Sequence, residues 1–333
     1  MKYLITGITG FAAPHLANLL IDEGHEVAGL IRCSNGREEQ VRELMDDAHF
    51  SKVQFLFCDL TDVDGMMRLF QEQKFDGVFH LAAQSHPPTS FTHPLETFED
   101  NIMGSANLIQ AIAVYQPQCR LMFCSTSEVY GNLASEVGML KEDMKLAPSN
   151  PYGTSKAAID LFMQERTTNK KIDGFVTRAF SHTGPGRGRR FSISSDAYYL
   201  ARMMVGLEKG RTLPIGNLET QRVVMDVRDC VNAYWLLMQK APSGEVYNVG
   251  GIPEQLCKME VFTDTLIKLS GLTDVKKEID PKLYRPIDIQ VQIPDTTKLR
   301  THTGWKPEIP LEKTLQDLLD YWVKKLTAGA KAA

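Results

Sequence analysis

The chain opens Met1-Lys2-Tyr3-Leu4-Ile5-Thr6-Gly7-Ile8-Thr9-Gly10-Phe11-Ala12-Ala13. Lys2–Ile5 reads as a short strand, two glycines follow at once, and His15–Glu23 reads as a helix with Gly24 as its cap. That order is the start of a dinucleotide-binding βαβ unit. Glycines let the backbone approach a pyrophosphate, and the helix N-terminus offers it unpaired N–H groups. Gly7, Thr9, Gly10 and Phe11 are therefore cofactor candidates. Ala13 stands where the fingerprint has its third glycine, a replacement the fingerprint admits. A glycine pair is weak evidence alone. Its place directly after the first strand gives it weight.

The same alternation continues outward from this turn. Glu26–Ile31, Val53–Phe57, Gly77–Leu81, Arg120–Cys124 and Phe175–Arg178 read as strands, each separated by enough chain for a crossover helix. Such alternation predicts a parallel sheet with helices on both faces and right-handed crossovers. After about residue 180 the pattern loosens. Residues 184–190 read as a loop, Tyr198–Lys209 and Cys230–Gln239 as helices, and Val246–Val249 as a returning sheet element. The expected fold is α/β: a Rossmann-type doubly wound parallel sheet with a smaller, interleaved C-terminal α/β substrate domain. Residues 1–180 would form the dinucleotide-binding domain, with returning elements near 225–250, and residues 181–330 would mainly bind substrate. The terminal Ala328-Gly329-Ala330-Lys331-Ala332-Ala333 reads as a frayed tail.

Composition excludes several classes. Of 333 residues, 43% are apolar and 23% charged, and the net charge of −4 leaves no basic footprint for nucleic acid. No apolar run is long enough to span a membrane. Met1-Lys2 leads straight into a strand, so no signal peptide is expected. The six cysteines are scattered without C-x-x-C pairs, which reads as buried thiols and neither metal ligands nor disulfides. These features predict a cytoplasmic protein.

The end of the second strand distinguishes the two nicotinamide cofactors. An NAD site places an acid there for the ribose 2′-hydroxyl; here Arg32 takes the place, and a guanidinium suits the 2′-phosphate of NADP. Asp59 after the third strand can accept from the adenine amino group or cap the next helix. Leu60 follows it. Leu81, Ala82 and Ala83 stand at the end of the fourth strand, where the small residues allow close approach to a dinucleotide.

Tyr152 and Lys156, in Asn150-Pro151-Tyr152-Gly153-Thr154-Ser155-Lys156, stand one helical turn apart on one face. The ammonium is expected to favour the phenolate and lower the tyrosine pKa. Upstream, Ser125-Thr126-Ser127-Glu128 adds a hydroxyl for the reacting oxygen and a carboxylate. A simple dehydrogenase needs no such carboxylate; removal of a proton from carbon does.

With these residues in view, the chain resembles the extended short-chain dehydrogenase/reductases that act on nucleotide sugars, over almost its whole length. It is most similar to the GDP-mannose 4,6-dehydratases and the GDP-4-keto-6-deoxymannose reductases. Dehydratase-like stretches are Leu4–Gly10, Ala83-Gln84-Ser85-His86 with Ser90-Phe91, and Ser125–Gly131. Reductase-like stretches are His182-Thr183-Gly184-Pro185-Gly186, Asp226-Val227-Arg228-Asp229 with Ala233-Tyr234-Trp235, and Thr303-Gly304-Trp305-Lys306-Pro307.

The resemblance implies that Tyr152 takes the sugar 4-hydroxyl proton as hydride leaves C4 for NADP+, with Thr126 assisting and Lys156 holding the phenolate and the nicotinamide ribose. It implies that Glu128 removes the C5 proton and helps water leave from C6, after which the hydride returns to C6. His182 is implied at the cofactor. Ser85, His86, Ser127, Ser181, Arg190, Arg222 and Arg285 are implied at a nucleotide-diphosphate sugar, and a homodimer or homotetramer is implied as the assembly. Three departures from the family pattern bear on the identity of the sugar: Ser181 where the family carries asparagine, Arg222-Val223-Val224, and Pro87-Pro88. Arg187, Arg189 and Arg190 form a basic loop able to hold the nucleotide or a neighbouring subunit.

The expected reaction is therefore the 4,6-dehydration of GDP-mannose. An NADPH-dependent reductase would have no need of Glu128. A 4-epimerase would need sugar rotation and no C5 base. A non-catalytic scaffold that keeps a dinucleotide would have no use for Thr126, Glu128, Tyr152 and Lys156 together.

Overall fold

The computed structural model describes residues 1–32, 38–284 and 287–332. Its centre is a seven-stranded sheet: β1 (Lys2–Thr6), β2 (Glu26–Ile31), β3 (Val53–Phe57), β4 (Gly77–His80), β5 (Arg120–Thr126), β6 (Gly174–Ala179) and β7 (Val246–Val249). The order is β7-β6-β5-β4-β1-β2-β3, and every neighbouring pair is parallel. The chain runs outward from β1 to β3, then returns to the other side of β1 as β4. Connections at β1 and β4 therefore diverge, and a crevice opens at their carboxyl ends.

The eight longer helices are α1 (Ala13–Asp22), α2 (Val63–Glu72), α3 (Gly104–Tyr115), α4 (Pro151–Thr168), α5 (Ser192–Met204), α6 (Val227–Lys240), α7 (Met259–Ser270) and α8 (Leu311–Ala332). Strand side chains alternate between two cores. Tyr3 and Ile5 face Leu16 and Leu20 of α1 and Val231 and Leu237 of α6. Leu4 faces the opposite way, into the layer of Phe70 on α2, Leu108 on α3 and Ile159 on α4. Burial on both faces explains why these strands read as nearly continuous apolar runs. A third core joins α5, α7 and α8 through Leu200, Phe262, Leu315 and Trp322. No helix among the described residues is long and apolar enough to cross a membrane.

The expected strands differ from the observed ones by two residues at most. Two helical expectations need correction. The one placed at Tyr198–Lys209 is α5, which begins at Ser192 and ends at Met204. The serine-rich start hid an apolar face, Ile193, Ala197, Leu200 and Ala201, whose spacing is helical. Gly206, at φ +77°, turns the chain just beyond the end. The tail expected to fray is helical through Ala332, as the last turns of α8.

Helix α4 is tied to the sheet by buried charge. Arg178 on β6 pairs with Asp160 on α4 at 2.9 Å, and both side chains are almost wholly buried. Arg178 also donates to the Tyr130 hydroxyl at 2.9 Å, which donates to Asn248 Oδ1 on β7 at 2.8 Å. Taking one partner from such a pair costs about 3–5 kcal/mol. The helix that carries Tyr152 and Lys156 is thus held to β6 and β7.

Candidate active site

A cavity of about 770 Å³ opens at the carboxyl ends of β1, β2, β4 and β5 and runs on between the sheet and α5 and α7. Every candidate residue named from the sequence lines it, apart from Arg285, which lies outside the described residues.

At the switch point, Gly7 has φ +71°, and a Cβ there would stand 2.8 Å from the Ala82 Cα. Only glycine lets the first turn pass so close to the strand-four segment. The Gly10 N–H closes the turn on the Gly7 carbonyl at 2.8 Å. Behind it runs a directed chain of hydrogen bonds. The Thr6 hydroxyl accepts from the Ala82 N–H at 3.2 Å and meets His80 Nδ1 at 2.7 Å, and His80 Nε2 meets Ser105 Oγ at 2.8 Å. Burial pushes His80 down to about 3, so the ring is neutral. Thr6 then donates to Nδ1, and Nε2 carries the proton towards Ser105. Ser105 donates to the Asn101 carbonyl, Asn101 Nδ2 to Ser155 Oγ at 3.0 Å, and Ser155 to the Tyr152 carbonyl at 2.7 Å. The glycine turn and the tyrosine helix are thereby set against each other.

Arg32, just beyond β2, pairs with Asp100 at 3.1 Å and Asp59 at 3.8 Å, and its side chain is 55% exposed. Asp59 Oδ1 accepts from the Thr61 N–H and hydroxyl, which makes it a turn residue. The helix-capping role that the sequence left open to it belongs to Asp62, which accepts from the Gly65 N–H at the start of α2.

Strand β5 delivers Thr126 to its own end. The Thr126 Oγ1 accepts from the Glu128 N–H at 3.3 Å, and Thr126 and Tyr152 line the same cavity wall. Asn150 caps α4 through Oδ1, which accepts from the Gly153 N–H at 2.7 Å. Its Nδ2 donates to Glu128 Oε2, also at 2.7 Å. The Tyr152 N–H donates to Ser90 Oγ at 3.1 Å. Ser90 sits in a short helix, Pro87–Thr92, so the two prolines, which line the cavity, start a turn of helix that steadies Tyr152.

The expected effect of Lys156 on Tyr152 does not dominate. Burial pushes the Tyr152 hydroxyl well above the ordinary tyrosine value, Thr126 and Arg187 pull it back, and Cys124 and Glu128 raise it further. Burial also brings Lys156 down to about 8; its ammonium lies 4.3 Å from the centre of the Phe123 ring. Helical spacing fixed which groups meet, but desolvation decided the direction of the shift.

His182 donates from Nδ1 to the Phe180 carbonyl at 2.9 Å and stacks on Phe11, with centroids 5.8 Å apart. Burial and Arg187 bring it down to about 4, leaving Nε2 as an acceptor. The basic loop divides. Arg187 turns inward, 3.5 Å over Phe191 and 4.8 Å from Phe11, while Arg189 and Arg190 are exposed and Arg190 reaches the cavity rim. Ser181, Ser127, Ser85 and His86 line the same wall system. Arg222 donates to the carbonyls of Ile289 at 2.6 Å and Gln221 at 2.8 Å and lies 3.8 Å from Asp288, so it also braces the 288–290 segment.

The family model described as GDP-mannose 4,6 dehydratase matches residues 4–318. The chain belongs to this family. A GDP-6-deoxy-D-mannose reductase of Pseudomonas aeruginosa is 32% identical over 80% of this chain and 86% of its own length. A GDP-mannose 4,6-dehydratase of Vibrio cholerae is 30% identical over 96% of this chain and 92% of its own. The solved structure of RMD from P. aeruginosa complexed with NADPH superposes with a TM-score of 0.82 at 27% identity, covering 97% of this chain and 99% of that one. Identity to the reductase and to the dehydratase differs by so little that overall similarity does not choose between the two reactions.

Within this member of the GDP-mannose 4,6 dehydratase family, sequence reading passed over several residues that build the site. Asn150 had a usable signal, an N-cap type directly before a proline and a helix. Ser90 entered only as part of a family-like stretch, and Asn101 and Asp196 had no signal, since their partners are far apart in the chain.

Proposed function

We propose that the chain is a nucleotide-sugar 4,6-dehydratase that takes GDP-mannose to its 4-keto-6-deoxy derivative with bound NADP. The observation that carries this reading is the Glu128 carboxylate, held by Asn150 at the head of the helix that bears Tyr152. A reductase needs one proton-transfer group at the carbonyl oxygen. Here a second is fixed beside it.

The residues fit NADP. Gly7 leaves room that a Cβ would fill, and Arg32 stands at the end of β2 where a 2′-phosphate would be met. Gly7, Thr9, Gly10 and Phe11 would hold the pyrophosphate, Arg32 the 2′-phosphate, and Lys156 and His182 the nicotinamide end. NADP, when bound, supplies the acceptor for the C4 hydride and returns that hydride to C6. Tyr152 takes the proton from O4, with Thr126 beside it in the cavity wall to assist at the same oxygen. The resulting 4-ketone acidifies the C5 hydrogen. Glu128 removes that proton and, now an acid, protonates the C6 hydroxyl as it leaves as water. A proton is then restored to C5, and the proton that Tyr152 took from O4 balances it, because the product keeps its 4-ketone. Ser85, His86, Ser127, Ser181, Arg190, Arg222 and Arg285 would hold the sugar and its diphosphate. A homodimer or homotetramer in the cytoplasm completes the reading, on family resemblance and the scattered thiols.

The test is incubation of the purified protein with GDP-mannose and catalytic NADP+, with product mass and NADPH absorbance followed together. Loss of one water without net NADPH change is the expected result. If no water is lost, and a GDP-4-keto-6-deoxy sugar instead consumes NADPH stoichiometrically, the protein is a reductase.

A further inference from the structure

Beyond the acid–base groups the cavity continues into the third core. Ile193, Leu218, Val224 and Met259 present apolar side chains there. Among them stands one acid, Asp196 on α5. It is 5% exposed, and Thr263 on α7 donates to its Oδ2 at 2.7 Å. Thr263 is its hydrogen-bond partner among the described residues, and a carboxylate has acceptor room for more. Burial pushes its carboxyl up to about 7, as happens to a charge that lacks donors. In the same cavity wall Gln292 is 4% exposed, and its Nε2 has no partner among the described residues. A ligand seated here is therefore a flat or apolar body whose edge carries donors and acceptors.

We propose that Asp196 reads the nucleobase, its carboxylate accepting the N1–H and the exocyclic N2–H of guanine. Guanine presents two adjacent donors on one edge. Adenine and cytosine each present a donor beside an acceptor, and uracil presents one donor between two carbonyls. An ionised carboxylate, which only accepts, matches guanine alone among these. The O6 and N7 of guanine are acceptors of the kind that Gln292 can serve. This inference rests on the reading of the cavity as a sugar-nucleotide site, and it assigns the base to a residue.

The test is calorimetric titration of GDP, IDP, XDP and UDP into the wild type and Asp196→Asn, with NADP binding to each protein as a control for folding. Inosine lacks the N2 amino group, so the wild type should bind GDP roughly 10–100-fold more tightly than IDP, the worth of one hydrogen bond to a charged group. Asp196→Asn should lose GDP affinity by at least as much and gain XDP, because an amide offers one acceptor and one donor, and xanthine has N1–H beside a C2 carbonyl. A purely structural role would weaken all four ligands alike, and that result overturns the proposal. So does equal affinity of the wild type for GDP and IDP, or preference for UDP. Tight GDP binding without turnover of GDP-mannose would remove the proposed reaction and leave Asp196 as the base reader.

Discussion

Tyr152→Phe is expected to lower kcat about a thousandfold, within the range of general acid–base catalysis, while NADP and GDP bind as before. The substitution deletes one oxygen from a buried ring and leaves the supports of the residue intact. Its N–H still reaches Ser90, its carbonyl still accepts from Ser155, and Asn150 still caps the helix. What is lost is the hydroxyl that the proposed reaction needs where O4 gives up its proton, beside Thr126 in the cavity wall. Oxidation at C4 cannot begin, so the later steps fail with it. Steady-state turnover beside NADP affinity checks the expectation. Turnover within tenfold of the wild type would show that another group takes the proton.

Glu128→Gln should stop water elimination to a similar extent but spare the first step. Glutamine has nearly the shape of glutamate, and its Oε1 can still accept from Asn150 Nδ2, so the loop keeps its geometry. An amide cannot carry a proton from C5 to a leaving hydroxyl. With GDP-mannose the variant should therefore show NADPH absorbance equivalent to a fraction of the sites, no product lighter by one water, and no exchange of C5 hydrogen with deuterated solvent. Elimination at the wild-type rate would place the C5 base elsewhere. Tyr152→Phe abolishes the absorbance signal, so the two variants separate the steps.

Much of this arrangement was legible in the chain because its causes are local. The apolar runs of β1 to β6 are bounded by turn residues, and Gly7–Gly10 follows its strand without a gap, so sheet, switch point and glycine turn could be placed from spacing. Tyr152, Lys156, Thr126 and Glu128 came from adjacent motifs, and all four line one cavity. What depends on distant chain could not be read. Whether Arg187 or Arg190 turns inward is set by Phe11 and Phe191. Asp62 caps α2, and Asp59 holds Thr61 instead, because of where the turn ends. The sign of the Tyr152 shift follows from burial, which spacing does not report. Asp196 lay in the serine-rich stretch between the expected loop at 184–190 and the helix expected from Tyr198, and its partner Thr263 is on another helix.

The placement of β7 has a consequence for how the enzyme is made. Strand β6 is complete at residue 179, yet the strand that pairs with its outer edge is not complete until residue 249, and α6, which covers one face of the sheet, spans Val227–Lys240. At about 5–20 residues per second, a ribosome takes on the order of ten seconds to cover that distance. Throughout, β6 carries an open row of backbone groups beside an uncovered apolar face. Nascent chains with residue 180 just outside the exit tunnel should be protease-sensitive and bound by chaperones, and chains extended past residue 250 should be protected; equal protection of both would show that the first six strands close without the seventh. The open edge thus waits for its partner strand until residue 249, and a pause in translation between residues 180 and 249 is where this protein is expected to be most exposed to aggregation.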